Sequence, residues 1–263
     1  MNKTIKAAVI TGSILICIGL IMVLAIGFTS DWKYTGVQWE SKTYESDVDE
    51  TITSLDLNFS AGKLNIEYYN GATVKVEYSD SKQLTNNFTV SNQTLKIVST
   101  VHWHVQFLWF NNIPETTIYI PQGMRLGLTM RMEAGTFTVD KGIFNDVNIK
   151  MNAGTISASN LECHNFKAEM NAGTMKINRM SSDVFTAKVD AGSLNVRGLL
   201  SNDINLDISA GSAKIGVDGI KSEYNIKTSV SAGSCNVKNQ NGTTLKTITV
   251  DVSAGSAKIT FDE

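Results

Sequence analysis

Proline, cysteine, histidine and surplus positive charge are all scarce in this chain, and each shortage narrows what the protein can be. Two prolines against twenty glycines, with 8% aromatic residues, suit a long β-structure with many corners. Setting aside Lys3 and Lys6, the remainder holds 21 basic against 25 acidic residues, a balance of −4. A nucleic-acid partner would need a basic excess, so none is expected. Three cysteines supply no disulfide framework: Cys17 falls in an apolar run, Cys235 on an inward column, and Cys163 in a predicted loop three rungs away. With three histidines and no recognised ligand spacing, neither a metal nor a cofactor is expected.

What is present is a repeat. Met151-Asn152-Ala153-Gly154-Thr155 returns as Met170-Asn171-Ala172-Gly173-Thr174, then as Val189-Asp190-Ala191-Gly192-Ser193 and Ile208-Ser209-Ala210-Gly211-Ser212. The glycines are Gly62, Gly135, Gly154, Gly173, Gly192, Gly211, Gly233 and Gly255, spaced by 19 residues from Gly135 to Gly211 and by 22 thereafter. A short unit stacked at fixed period is a solenoid. Counted from each glycine, offsets −7, −5, −3 and −1 are apolar, as are +2 and +4, and only Thr228 breaks the pattern. Alternation with period two predicts half-buried strands, and its change of parity at the glycine predicts a corner or a bulge, at a residue free to adopt the positive φ a corner can require. The expected fold is an all-β, single-stranded β-solenoid. Each rung holds a long strand, the Ala-Gly corner, a short strand and a loop.

Outward positions suit stacked strands about 4.8 Å apart. One column reads Lys150, Glu169, Lys188, Asp207, with alternating charge, and another reads Asn152, Asn171.

The domain organisation follows from the N-terminus onward. Residues 1–6 carry Lys3 and Lys6, and 7–28 are uncharged, long enough at about 1.5 Å per residue to span a bilayer. The run exceeds the apolar core of a signal peptide, so a single-pass anchor with a cytoplasmic N-terminus is preferred, although Ala25-Ile26-Gly27 leaves cleavage open. Residues 29–50 are an acidic linker with Trp32 and Trp39, and 51–263 form the extracytoplasmic solenoid. Within it, 51–125 are irregular capping coils and 126–263 the regular array, running to a final rung that ends in Asp262-Glu263.

Chemistry is thinly represented. His102 and His104 flank Trp103 on one side of a strand, but no third ligand follows a known spacing. Cys163 and His164 are neighbours on a chain that alternates, so they face opposite ways. Asp190 and Asp207 lie on adjacent rungs, the one arrangement reminiscent of a polysaccharide-cleaving β-helix, yet Lys188 beside them makes an ion ladder of it. The hydroxyl column Thr136, Thr155, Thr174, Ser193, Ser212 invites an ice-binding reading, and the lysines Lys176, Lys214 and Lys258 on the next column argue against it. The candidate partner-binding segment is His102, Trp103, His104, Phe107, Trp109 and Phe110, an aromatic cluster that would either cap the open core or meet a partner.

Ser54-Leu55-Asp56-Leu57, Ser60-Ala61-Gly62-Lys63-Leu64-Asn65-Ile66 and Thr117-Ile118-Tyr119-Ile120-Pro121-Gln122-Gly123, followed by the Ala-Gly-Ser/Thr rungs, resemble the bacterial "putative adhesin" domain family of LiaG-like and YvlB-like envelope proteins. The resemblance covers about residues 51–263. It implies a membrane-anchored or surface β-solenoid, often Gram-positive and tied to envelope stress systems, and it transfers no catalytic residue. The expected function is a non-enzymatic interaction module at the cell membrane, meeting envelope membrane proteins or wall polymer. Adhesion is the alternative, a polysaccharide-active enzyme a remote one, and self-association stays open.

Overall fold

A computed structural model of the chain describes residues 39–47, 51–102 and 113–262, all within one compact unit, Trp39–Glu263. The proposed anchor 7–28 and the residues Trp103, His104, Phe107, Trp109 and Phe110 lie outside them. No helix among the described residues is long and apolar enough to cross a membrane.

The fold is all-β, with one short 3-10 turn at Lys221–Glu223. The strands are β1 (Glu40–Glu45), β2 (Ser54–Tyr69), β3 (Lys75–Asp80), β4 (Leu84–Ser91), β5 (Thr94–Val101), β6 (Glu115–Pro121) and β7 (Leu126–Val139). They continue with β8 (Gly142–Ile208), β9 (Ser212–Asp218), β10 (Asn225–Val230), β11 (Ser234–Cys235), β12 (Thr247–Val252) and β13 (Ser256–Asp262). Strand β1 comes from the stretch predicted as linker and pairs antiparallel with β3.

Alternation places the core. In β8, Val147, Ile149 and Met151 are buried, then Ile156 and Ala158, and the same offsets are buried in the coils of Gly173, Gly192, Gly211 and Gly255, whereas in the Gly233 coil Val230 is exposed. Parity switches at the glycine, but the alanine before it is not inward. Ala153, Ala172, Ala191 and Ala210 are exposed, because the chain already bends outward after the residue at offset −3. A second correction concerns the predicted loop. β8 is extended over 67 residues, and a third inward pair follows the short run: Leu161 and Cys163, Met180 and Ser182, Leu199 and Ser201. The chain reaches it through a left-handed residue, Asn160 (φ 50°), Arg179 (φ 59°) or Gly198 (φ 61°). Each coil therefore has three inward runs and three corners. Cys163 sits on a strand, buried, rather than in a loop. Like side chains stack in the core, as in Phe166 and Phe185, whose rings lie 5.3 Å apart with planes 1° from parallel.

The glycine corners also stack. A Cβ on Gly173 would lie 2.0 Å from the Gly154 carbonyl oxygen, so no side chain fits. Gly62, Gly135, Gly154 and Gly173 have φ of 133°, 143°, 136° and 127°. Gly192, Gly211, Gly233 and Gly255 do not take the positive φ of the first four, and there close approach of the neighbouring coil, its glycine carbonyl foremost, excludes a larger residue.

Coil order departs from chain order at both ends of the stack. β2 lies between β7 on one side and β5 with β6 on the other, so the first coil in sequence is internal. The outer strands there are antiparallel: β4 on β5, and β3 on β6. They lie outside the irregular coil that β5 and β6 form on β2. At the far end, β12 and β13 pair in parallel with Asp203–Ile208 of β8 and with β9, while β10 and β11 pair onto β12 and β13. The last coil in sequence is thus inserted, and the one before it is outermost. Thr228 supplies the reason. It occupies an inward offset, which would place a hydroxyl in an apolar column of any internal coil. On the outermost coil its backbone N–H and hydroxyl donate to Asn239 Oδ1 at 2.6 and 3.0 Å. The loop 236–246 folds back to pair Gln240 with Ile226, covering that edge.

Candidate interaction surfaces

The outward residues of each coil fall on flat faces, and their charges differ from face to face. On the face that carries offsets −6 to −2, several charges are paired along and between coils, while Lys227, Asp207 and Asp251 have no ion pair among the described residues. Lys150 and Lys167 meet Glu169 at 3.4 and 3.0 Å, Arg131 meets Asp56 at 3.2 Å, and Lys188 reaches Asp190 at 3.8 Å. Lys167 foremost, then Lys150, holds the Glu169 carboxyl below its ordinary value. Asn171 donates to Asn152 at 2.9 Å, and Asn152 in turn to Glu133, so the amide column forms the ladder its spacing suggests.

The face that carries offsets +1 to +5 is different. Lys176, Arg197, Lys214 and Lys258 stand exposed on it, and none has an ion pair among the described residues. Lys214 and Lys258 are in direct register because the last coil is inserted. Asn195 pairs with Lys214 in the same column, and its Oδ1 is buried without a hydrogen-bond partner. Thr174, Ser193, Ser212 and Ser256 line the adjoining column. Sequence reasoning met these lysines only as interruptions of a hydroxyl face. Their clustering on one half of one face was readable from the +3 column, but Lys258 beside Lys214 was not.

The other candidates are less organised. His102 ends β5, its backbone N–H bonded to the Gln83 carbonyl at 2.7 Å and its Nε2 2.8 Å from Thr85 Oγ1. β5 leaves register with β2 at Phe59 and β6 enters it at Lys63, so no described Ala-Gly pair of that coil stands opposite Ala61 and Gly62. The structure describes His102 alone of the six candidate residues, and among the described residues no other histidine is bonded to it. His164 Nδ1 lies 3.1 Å from Asp183 on the surface. Cys163 faces the core behind it, and burial, aided by Asp146, Asp183 and Glu162, pushes its thiol up to about 12. Asp190 and Asp207 sit on a flat face, Asp190 already bonded by Ser209 at 3.1 Å. Among the described residues no group of three or more His, Cys, Asp or Glu is placed to hold a metal.

A hollow of about 680 Å³ lies at the outermost coil between Asn225, Gln240 and Thr249. Its amides serve the fold: Asn225 Nδ2 donates to Thr244 O at 2.8 Å and Gln240 Nε2 to Lys221 O at 2.8 Å.

The fold is similar to that of three solved structures. One is a "putative adhesin" of Bacteroides fragilis, 14% identical with TM-score 0.49, covering 84% of this chain and 97% of that one. A "putative cell adhesion protein" of Clostridium sporogenes is 15% identical with TM-score 0.38, over 86% and 100% of the two chains. A "putative adhesin" of Parabacteroides distasonis is 10% identical with TM-score 0.43, over 86% and 98%. No curated protein sequence matches the chain. A family model does match, over residues 52–263, nearly the whole of the coil stack: the chain belongs to the Toastrack DUF4097 family.

Proposed function

We propose that this chain is a non-enzymatic interaction module, held outside the cytoplasmic membrane by residues 7–28 and serving envelope stress sensing or regulation. The observation that supports it is the state of the described polar groups. Among the described residues, histidine, cysteine and acid side chains are dispersed over the outward faces or turned into the core, and the hollow beside Asn225 and Gln240 is lined by amides that the backbone already uses. A rigid stack with long flat faces is suited to contact along its length rather than to turnover in a cleft. The anchor rests on the uncharged run and the flanking lysines.

Crosslinking of the full-length chain in cells tests this. Recovery of specific membrane proteins, a sensor kinase or its inhibitor among them, is the expected outcome. Hydrolysis of a wall or capsular glycan by the purified chain would overturn the non-enzymatic reading. Adhesion is the second reading, favoured by the unpaired cations of the +1 to +5 face.

A further inference from the structure

We propose that the face bearing Lys176, Arg197, Lys214 and Lys258 binds a single linear polyol-phosphate chain laid along the coil axis. The proposal rests on the reading of the domain as an interaction module outside the membrane, and names its ligand.

These four cations are unpaired, whereas Lys150, Lys167 and Lys188 on the neighbouring face are matched with acids, so the charge of the four is not used in an ion pair of the fold. Lys214 and Lys258 are in register one coil apart, where like charges repel, a cost that a bound anion between them would reverse. Arg197 stands two positions along on the coil between those of Lys176 and Lys214. Coils spaced by about 4.8 Å set cations at one-coil and two-coil intervals along one line. That line fits a polymer with a phosphate every several ångströms.

The flanks make the line narrow. On one side Asp207 is in register with Asp251, and on the other Asp218 with Asp262, all four exposed. A flat anionic bilayer or a nucleic-acid duplex would press against these carboxylates, whereas one thin chain between them meets cations only. Single-stranded nucleic acid would want aromatic platforms, and the exposed positions of this face carry hydroxyls and amides instead. Lysine as a point charge, with the hydroxyls of Ser193, Ser212 and Ser256 beside it, matches the many-sided oxygens of phosphate better than a planar carboxylate.

Asn195 adds a second, independent indication. A buried amide oxygen with no partner is destabilising, and this one lies in the middle of the cationic column. Lys176 and Lys214 stand one coil away on either side. The free hydroxyls of a polyol backbone are donors of the kind this oxygen lacks. Bare polyphosphate carries no such donor.

The test is titration of synthetic poly(glycerol phosphate) onto the full-length chain in neutral detergent, with inorganic polyphosphate, polygalacturonate, single-stranded DNA and phosphatidylglycerol vesicles as competitors. Salt-dependent binding of poly(glycerol phosphate), weakened roughly tenfold in the Lys214→Gln/Lys258→Gln variant and unchanged in Lys150→Gln/Lys188→Gln, is expected. Asn195→Val should weaken poly(glycerol phosphate) and leave the weaker polyphosphate binding unchanged. Absence of binding, equal loss in the Lys150/Lys188 variant, or a stronger hold on vesicles, DNA or polygalacturonate overturns the proposal. Unfolding of Lys214→Gln/Lys258→Gln is measured alongside, and its melting temperature should not fall, since the change removes a repulsion. If the polymer fails to bind but the variant still crosslinks the same membrane proteins in cells, the ligand assignment falls and the interaction module stands.

Discussion

Gly255 rests against Gly211, a coil two glycines back along the chain: a Cβ on Gly255 would lie 2.2 Å from the Gly211 carbonyl oxygen. Gly233, which comes between them in sequence, stacks instead on the far side of Gly255, its own Cβ position 2.2 Å from the Gly255 carbonyl. From this inversion follow the register of Lys214 with Lys258 and of Asp207 with Asp251, and hence the charge pattern of the faces.

The acids of that pattern give a first prediction. Asp207 and Asp251 face each other in water-exposed columns, so changing either to Asn should stabilise the protein by roughly 0.5 kcal/mol. The second change should then add little, because the repulsion has already gone. A double-mutant cycle by denaturant unfolding measures the coupling. With coils in chain order both acids would face Ser229, and the two changes would be independent.

Two glycines separate steric need from conformational need. Gly173→Ala puts a carbon 2.0 Å from a backbone oxygen that the next coil holds in place, and should cost more than about 3 kcal/mol or prevent folding. Gly198 has φ 61°, but its nearest neighbour is an Arg179 side-chain carbon at 3.6 Å, an ordinary contact. Gly198→Ala should cost about 1 kcal/mol, as a left-handed residue does. Thermal unfolding of both variants checks the difference, and equal losses would contradict it.

Cys163 predicts an alkaline limb. Its thiol is raised from 9.0 to about 12 in the folded protein, so the unfolded chain loses the proton first as pH climbs. Stability is intact below pH 9, and falls as pH rises from there toward 12. Cys163→Val should flatten that fall in unfolding curves. Alkylation of the native protein at pH 8 should leave Cys163 unlabelled until the chain is denatured.

The repeat was legible because its cause is local. A two-residue alternation and a glycine that admits no Cβ leave their mark every 19 residues, and residues such as Met151 and Ile156 announce the core directly. The third inward run was missed because it is short and polar in part, with Ser182 and Ser201 in positions that look like loop. The exposed alanines misled because Ala fits the periodic pattern of the core without belonging to it. Coil order was the harder inference, since neighbours in a stack are chosen by tertiary fit. One signal was nonetheless in plain view. Ile204, Asp207, Ser209, Ala210, Gly211, Ser212, Ala213, Lys214, Ile215 and Asp218 recur identically 44 residues later, from Ile248 to Asp262, and the intervening copy carries the odd Thr228. Of the candidate segment 102–110, the structure describes only His102, and the cationic face emerged only when the coils were stacked.

Paired cysteines test the coil order most directly, and with it the juxtaposition on which the cationic face depends. Ser209 and Ser253 lie on adjacent coils, where the Ser253 N–H bonds the Ile208 carbonyl at 2.9 Å, whereas Ser231 bonds the Val252 carbonyl one coil farther out. With Cys17 and Cys235 replaced by serine, mild oxidation of Ser209→Cys/Ser253→Cys should close a disulfide across about 4.8 Å. Ser209→Cys/Ser231→Cys, two coils apart, should stay reduced. Closure of the second pair and not the first would mean that the coils follow the chain, and would contradict the account.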